Sequence, residues 1–131
     1  MKITALIARY LLGLIFLIFG LNGFLHFIRS ELPSGTAGQF VGALVASNYL
    51  VVVFLLQLVS AILLLVNRHV PLALTMLAPI IVNILMFHIL MVPSGLAPAI
   101  VVTICWIVVF LSVRSAFAGL FEQRVPAQEL R

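Results

Sequence analysis

The chain has 131 residues, of which 65% are hydrophobic and 8% are charged, and its formal net charge is +4. Soluble domains are about 45–50% apolar and about 25% charged, so a soluble fold of this size could not bury so much apolar surface. The composition therefore excludes an ordinary soluble domain and predicts a protein embedded in lipid. The basic residues are scattered and do not alternate with aromatic residues, so we expect no nucleic-acid partner.

Uncharged runs divide the chain into four apolar segments. A helix needs roughly 20 apolar residues to cross the hydrocarbon core of a membrane. Residues 10–28 and 32–67 each provide one span, and residues 69–113 are long enough for two spans, separated at the Pro-Ser-Gly sequence 93–95. The predicted fold is all-α, a four-transmembrane-helix bundle with helices at about 3–28, 48–66, 71–92 and 97–119.

The first predicted helix contains Arg9 near its start. The apolar stretch after Arg9 is longer than that of a typical signal peptide, and no small-residue cleavage site follows, so we expect a retained helix. We expect Arg9 to extend to lipid phosphates of the inner leaflet, and pairing with Glu122 is the alternative. Gly13, Gly20 and Gly23 allow a second helix to approach closely. That helix belongs either to the same protomer or to a partner in a homo-oligomer.

The longest connection, residues 29–47, follows the first predicted helix. Within it, Gly38, Gly42 and Ala46 recur at intervals of four residues, which is typical of a helix. We therefore predict a short helix at the outer membrane interface before the second span. A single tilted helix over residues 41–66 is the alternative.

Lys and Arg are distributed unevenly between the two ends of the predicted spans. The N-terminus, the turn at 67–70 and the tail at 121–131 lie on one side, together with six of the seven basic residues. Because basic residues favour the cytoplasmic side of a membrane, we expect both termini in the cytoplasm. We predict one membrane domain, residues 1–120, in the cell's inner (plasma) membrane, where its basic side contacts anionic membrane lipids.

Two stretches of the sequence echo each other. In each, an Asn and a His near the outer end of a predicted helix precede a Pro-Ser-Gly sequence: Asn22, His26 and 33–35, then Asn83, His88 and 93–95. The offsets between matched residues are 61, 62 and 60. The echo is typical of two related helical hairpins, as found in other membrane proteins, and chance similarity explains it equally well.

Five polar side chains lie in the outer parts of the predicted spans or near mid-membrane. They are Asn22, His26, Gln57, Asn83 and His88. A polar group without a partner is costly in lipid, so these side chains should face the bundle interior. One interpretation is that they only form interhelical hydrogen bonds. The other is an outward-opening pocket in which they bind the polar head of an amphipathic small molecule.

The spacing within each pair differs. Asn22 and His26 are four residues apart and share one face of a regular helix. Asn83 and His88 are five residues apart, so they share a face only if the helix is distorted, and Pro79 predicts a kink there.

The remaining polar residues point to no recognised catalytic or metal site. His26, His88 and Glu31 offer at most three metal ligands, in no known spacing, so we expect no metal. The carboxylates Glu31, Glu122 and Glu129 all lie outside the predicted spans, which argues against an ion-coupled pump. No nucleophile–base pair has a recognisable spacing. The sequence therefore identifies no catalytic residue and leaves open whether the protein is an enzyme.

Two parts of the sequence resemble a known family. Residues 9–27 resemble the first helix of DoxX-like membrane proteins, and residues 66–88 resemble their second-to-third helix region. The resemblance covers about residues 5–120 and implies a compact four-helix membrane bundle. Some members are associated with quinone-linked oxidation of thiosulfate, others with oxidative-stress complexes, and distant relatives with assembly or cargo chaperones. Members often have a Glu where this chain has Gln57, which argues against a role in proton transfer.

Together, the polar residues and the resemblance give two expectations of function. The first is an accessory subunit of a quinone- or lipid-linked redox system, with a quinone as the cofactor and a redox membrane protein as the partner. The alternative is a non-enzymatic assembly factor, chaperone or scaffold whose partner is a client membrane protein. In that case the function lies on the outer helix faces or in segment 29–47.

Overall fold

The computed structural model describes residues 2–128, and within that range its regular structure is entirely helical. The helices are α1 (Lys2–Leu25), α2 (Gly35–Ala46), α3 (Tyr49–Leu65), α4 (Val70–Leu90) and α5 (Leu96–Val113), with 3₁₀ helices at Pro93–Gly95 and Arg114–Phe121. The predicted all-α class is confirmed. The predicted tail is described only to residue 128, so Glu129 and Arg131 lie outside the described residues.

Three of the helical segments are long and apolar enough to cross a membrane. They are α1, α4, and α5 taken together with its flanking 3₁₀ helices. The fourth candidate is a bent pair, because α2 and α3 pass the same test only together and meet at an angle of 82°. The 17 residues of α3 alone extend about 26 Å, slightly less than the ~30 Å hydrocarbon core. Three to four such segments fit a multi-pass membrane protein.

A two-residue break separates α2 from α3. Asn48 has a left-handed backbone with a φ of 60°, a conformation that Asn tolerates better than most residues. The Ser47 hydroxyl donates to the Leu44 carbonyl at 3.2 Å and accepts from the Tyr49 N–H at 3.3 Å. The break is therefore stabilised by its own side chains. A short helix, α2, is present before α3, and the alternative of one helix over residues 41–66 is wrong.

The outer end of α1 differs from the prediction. α1 ends at Leu25 instead of continuing to residue 28, because His26 adopts a left-handed backbone with a φ of 52°. The His26 N–H still donates to the Asn22 carbonyl at 2.9 Å, but the chain then leaves the helix axis. The Asn22 side-chain oxygen accepts from the Ile28 N–H at 2.6 Å. Asn22 and His26 therefore do not share a helix face.

The four long helices pack around one apolar core. α1 contacts α3 and α5, and α4 contacts the same two helices. Leu12 of α1, Leu64 of α3 and Leu77 of α4 are completely buried in this core. The Trp106 indole N–H also donates to the Leu74 carbonyl at 2.9 Å, which ties α5 to α4.

Three glycines explain why α1 lies close to α3. A Cβ built on Gly13 or on Gly20 would lie 2.9 Å from a leucine side chain of α3. A Cβ built on Gly23 would overlap the ring of Phe54, also on α3. The close approach predicted from these glycines is confirmed, and it occurs within one protomer.

Candidate functional site

A cavity of about 560 Å³ lies between α1, α3, α4 and α5. Small-molecule sites typically have volumes of about 300–1,000 Å³ and mostly apolar walls. The walls here are mainly aromatic and aliphatic side chains, including Phe16, Phe19, Phe54, Ile84 and Val102. Three of the five predicted polar residues, Asn22, Gln57 and His88, also line this space, which we call the Gln57 cavity.

Gln57 is the polar residue that the fold buries most deeply in this cavity. Its side chain is only 7% exposed, and its Oε1 has no hydrogen-bond partner among the residues that the structure describes. An unpaired buried acceptor costs about 1–3 kcal/mol. Ser60, three residues further along α3, has a completely buried hydroxyl that likewise lacks a partner within residues 2–128. Ser60 could not be singled out from the sequence, because serine is also a common packing residue between membrane helices.

Asn22 contributes a free amide N–H group to the cavity. Its Oδ1 is occupied by the Ile28 N–H at 2.6 Å, which leaves the two N–H groups of Nδ2 as donors. This bond also orients the side chain, because the acceptor end is held by the backbone that follows α1. Asn22 is therefore a positioned donor at the α1 side of the Gln57 cavity.

His88 contributes an acceptor from the opposite helix. Its Nδ1 lies 3.2 Å from the Val92 carbonyl oxygen. Because a carbonyl can only accept, Nδ1 carries the proton in the neutral ring and Nε2 is the free acceptor. A Cβ built on Gly95 would overlap the imidazole, so the lack of a side chain at Gly95 makes room for the ring. The Pro-Ser-Gly sequence of the second echo thus packs against the histidine that precedes it.

Asn83 is separated from the other candidates. It is exposed on α4, lines neither of the two cavities described here, and donates its Nδ2 to the Pro79 carbonyl at 2.8 Å. α4 continues through Pro79 as one helix, so five residues of rotation carry Asn83 about 140° away from His88. His88 lines the Gln57 cavity and Asn83 does not, so the two side chains do not meet there.

His26 lies in a second space. A cleft of about 610 Å³ is bounded by the end of α1, the connection that follows it and the break between α2 and α3. His26 is exposed and lines this cleft, as does Arg29, and we call it the Arg29 cleft. Asn22 and Phe54 line both spaces and form the wall between them. The five predicted residues therefore do not form one pocket.

The structure places Arg9 differently from the prediction. It is only 8% exposed, and its guanidinium donates to the Leu64 carbonyl at the end of α3, where helix carbonyls carry partial negative charge. The ring of Tyr10 lies 4.6 Å from the guanidinium carbon. Arg9 therefore binds the end of α3. In the sequence, Arg9 lies four residues before Gly13 and eleven residues before Gly20. These spacings place Arg9 on the same helix face as the two glycines, which is the face that packs against α3.

The chemistry available in the Gln57 cavity is hydrogen bonding to an uncharged polar group. Donors come from Asn22 and Gln57, acceptors come from Gln57 and His88, and no carboxylate is among the described residues that line it. Within residues 2–128, no three His, Cys, Asp or Glu side chains come together as a set of metal ligands. In comparisons with known protein families, curated proteins and solved structures, the chain matches none of them.

Proposed function

We propose that the protein is a DoxX-like accessory subunit of a membrane redox system and that its Gln57 cavity binds the head of a quinone-like or lipid-like molecule. In this proposal α1, α3, α4 and α5 form a four-transmembrane-helix bundle of the inner membrane, and α2 lies at the outer interface. The resemblance of residues 9–27 and 66–88 to DoxX-like proteins supports this family and fold. The distribution of basic residues supports cytoplasmic termini.

The buried Gln57 Oε1, which accepts no hydrogen bond from any described residue, carries the proposal. A quinol hydroxyl could donate to Gln57 Oε1 or to His88 Nε2. A quinone carbonyl could accept from Asn22 Nδ2 or from Gln57 Nε2. The cavity therefore offers partners to both redox forms of such a ligand, and its aromatic walls suit a flat ring.

The polar side chains that line the Gln57 cavity favour a mechanism in which electron transfer is completed in a partner protein. Asn22 and Gln57 are uncharged amides, so they can bind and orient a ligand in this cavity by hydrogen bonding. Quinone oxidation and reduction move protons together with electrons. A subunit that binds and orients the ligand for a neighbouring redox protein needs only the hydrogen-bonding groups present here.

Gln57→Leu tests this function directly. The change keeps the approximate size of the side chain and removes both the carbonyl oxygen and the NH2 group of its amide, so we expect the content of bound quinone to fall about tenfold or more, the equivalent of one hydrogen bond. The protein should be purified in its native lipids and extracted with organic solvent, and quinones and phospholipids should be quantified by mass spectrometry. Thermal stability should stay equal or rise, because an unpaired buried amide is removed.

Asn83→Leu is the matched control. It also removes one amide from a membrane helix, but outside the cavity, so bound quinone should remain at the wild-type level. Equal ligand content in wild type and Gln57→Leu would reject the Gln57 cavity as the site. Wild-type protein with neither quinone nor a lipid enriched over the bulk membrane would reject the ligand-binding function itself.

The alternative function is that of a non-enzymatic assembly factor, chaperone or scaffold. It is favoured by one observation: Asn22, Asn83 and His88 each hydrogen-bond a backbone group of their own helix or the turn after it. Such bonds serve local structure without any ligand. Under this alternative, a photo-cross-linker placed within residues 29–47 should trap one defined membrane protein in cells, and Asn83→Leu should alter stability alone. Diffuse cross-linking would contradict it.

A further inference from the structure

The Arg29 cleft has two chemically different sides. One side carries hydrogen-bond donors from the segment after α1, and the other is formed by apolar residues of α2 and the start of α3. The donors come from His26, Arg29 and Ser30, and the apolar side includes Val41, Val45 and Leu50. Among the described residues that line it, none is a carboxylate. One side of the cleft therefore carries the charge of Arg29 and several hydrogen-bond donors, while Glu31, between Ser30 and Leu32 in the chain, is not among the lining residues, and the other side is hydrocarbon-like.

The position of Arg29 follows from the end of α1. The left-handed backbone at His26 turns the chain out of the helix, and the Asn22 side chain holds the Ile28 N–H at 2.6 Å, next to Arg29. These contacts bring Arg29 to the cleft. An arginine presents several N–H donors in a planar fork that matches the oxygens of a phosphate group.

The apolar side follows from the angle between α2 and α3. Because the two helices meet at 82°, their facing surfaces form a wedge that lines the cleft. Val45 is 56% exposed on this wedge, and a Cβ built on Gly42 would have no neighbour within 4 Å. A hydrocarbon chain could cover these residues.

We infer that the Arg29 cleft is a binding site for an anionic phospholipid. The phosphate is held by Arg29 with hydrogen bonds from Ser30 and His26, and one acyl chain lies against Val41 and Val45. A zwitterionic headgroup is disfavoured because its own cation would lie near Arg29. A soluble anion would leave the apolar side uncovered. This site is separate from the Gln57 cavity and does not depend on a redox function.

The test is a lipid titration of the delipidated full-length protein followed by native mass spectrometry. Wild type should bind phosphatidylglycerol about tenfold more tightly than phosphatidylcholine, and Arg29→Gln should remove that preference, because the charge-assisted bonds to phosphate are lost. Arg68→Gln makes the same change in net charge at an exposed position after α3 and should retain the preference. Added inorganic phosphate should not displace the lipid.

A second variant tests the apolar side without touching the charge. Gly42→Leu should fill the cleft and lower phosphatidylglycerol binding about tenfold, and it should fold because its Cβ meets no neighbour.

Equal binding of the two lipids by wild type, or an unchanged preference in Arg29→Gln, would overturn the site. Displacement by inorganic phosphate would overturn the lipid assignment. Gln57→Leu should keep phosphatidylglycerol, so the failure of this site and the failure of the quinone cavity are distinguishable.

Discussion

Replacing Arg9 with Met should lower the free energy of unfolding by about 2–3 kcal/mol. The guanidinium is 8% exposed and donates to the Leu64 carbonyl, 55 residues away in the sequence. Met keeps most of the side-chain packing but removes the donor and the charge. The last turn of α3 then loses the cation that offsets its partial negative charge. Unfolding in mixed detergent micelles can be followed by the fluorescence of Trp106, the single tryptophan of the chain.

Arg68→Met is the control for net charge. Arg68 follows α3 closely, but its side chain is exposed, so its replacement should change stability by less than about 0.5 kcal/mol. Arg9→Lys should be intermediate, because lysine keeps the charge but lacks the planar donor fork. If Arg9→Met and Arg68→Met destabilised the protein equally, the effect would come from charge alone, and the contact with Leu64 would carry no energy.

Gly23→Ala should be the most damaging single-methyl substitution in α1, with a cost of about 1–3 kcal/mol. The added Cβ would overlap the Phe54 ring, which also packs edge-on against Phe24 at a centroid distance of 6.1 Å. The ring or the helix must therefore move. Because Phe54 lines both the Gln57 cavity and the Arg29 cleft, ligand binding in both should weaken together with stability. Thermal unfolding in detergent and the two binding assays measure these effects.

Gly42→Ala is the matched control for Gly23→Ala. It adds the same methyl group within a helix where no atom lies within 4 Å, so it should raise stability by about 0.5–1 kcal/mol through helix propensity. Phe54→Leu combined with Gly23→Ala should recover part of the loss, since a smaller side chain admits the Cβ. A simple sum of the two single effects would show that the ring is not what the added methyl group meets.

The fold was predictable where the structure of a segment depends only on the residues of that segment. The uninterrupted apolar runs around Leu12 and Leu77 predict helices, because lipid offers the backbone no hydrogen-bond partners. The glycine spacing predicts the close approach of α1 to another helix. The end of α1 was not predictable to the residue, because it depends on whether His26 adopts a left-handed backbone. The angle between α2 and α3 likewise depends on the conformations of Ser47 and Asn48.

The candidate site was predictable in its chemistry and only partly in its geometry. Polar residues are few, so the sequence identifies Gln57 and His88 as the groups available to a ligand. The echo of two Asn–His pairs suggests that all four residues act alike, but they do not. His26 leaves its helix and lines another cleft, and Asn83 stays on a regular helix and faces away from His88. The positions of His26 and Asn83 depend on where each helix ends and on how it is rotated. The repeated Asn and His residues in the sequence do not specify either.

The lipid environment, the helical class and the number of apolar segments could be read from the sequence, because these depend on local composition and on the cost of exposing backbone groups to lipid. The few polar side chains could be read from it as well. Which of them meet depends on how the helices pack. Arg9 reaches the end of α3, and Gln57 Oε1 lies beside an apolar cavity with no hydrogen-bond partner among the described residues. Such contacts join residues far apart in the chain, so they depend on how the helices pack.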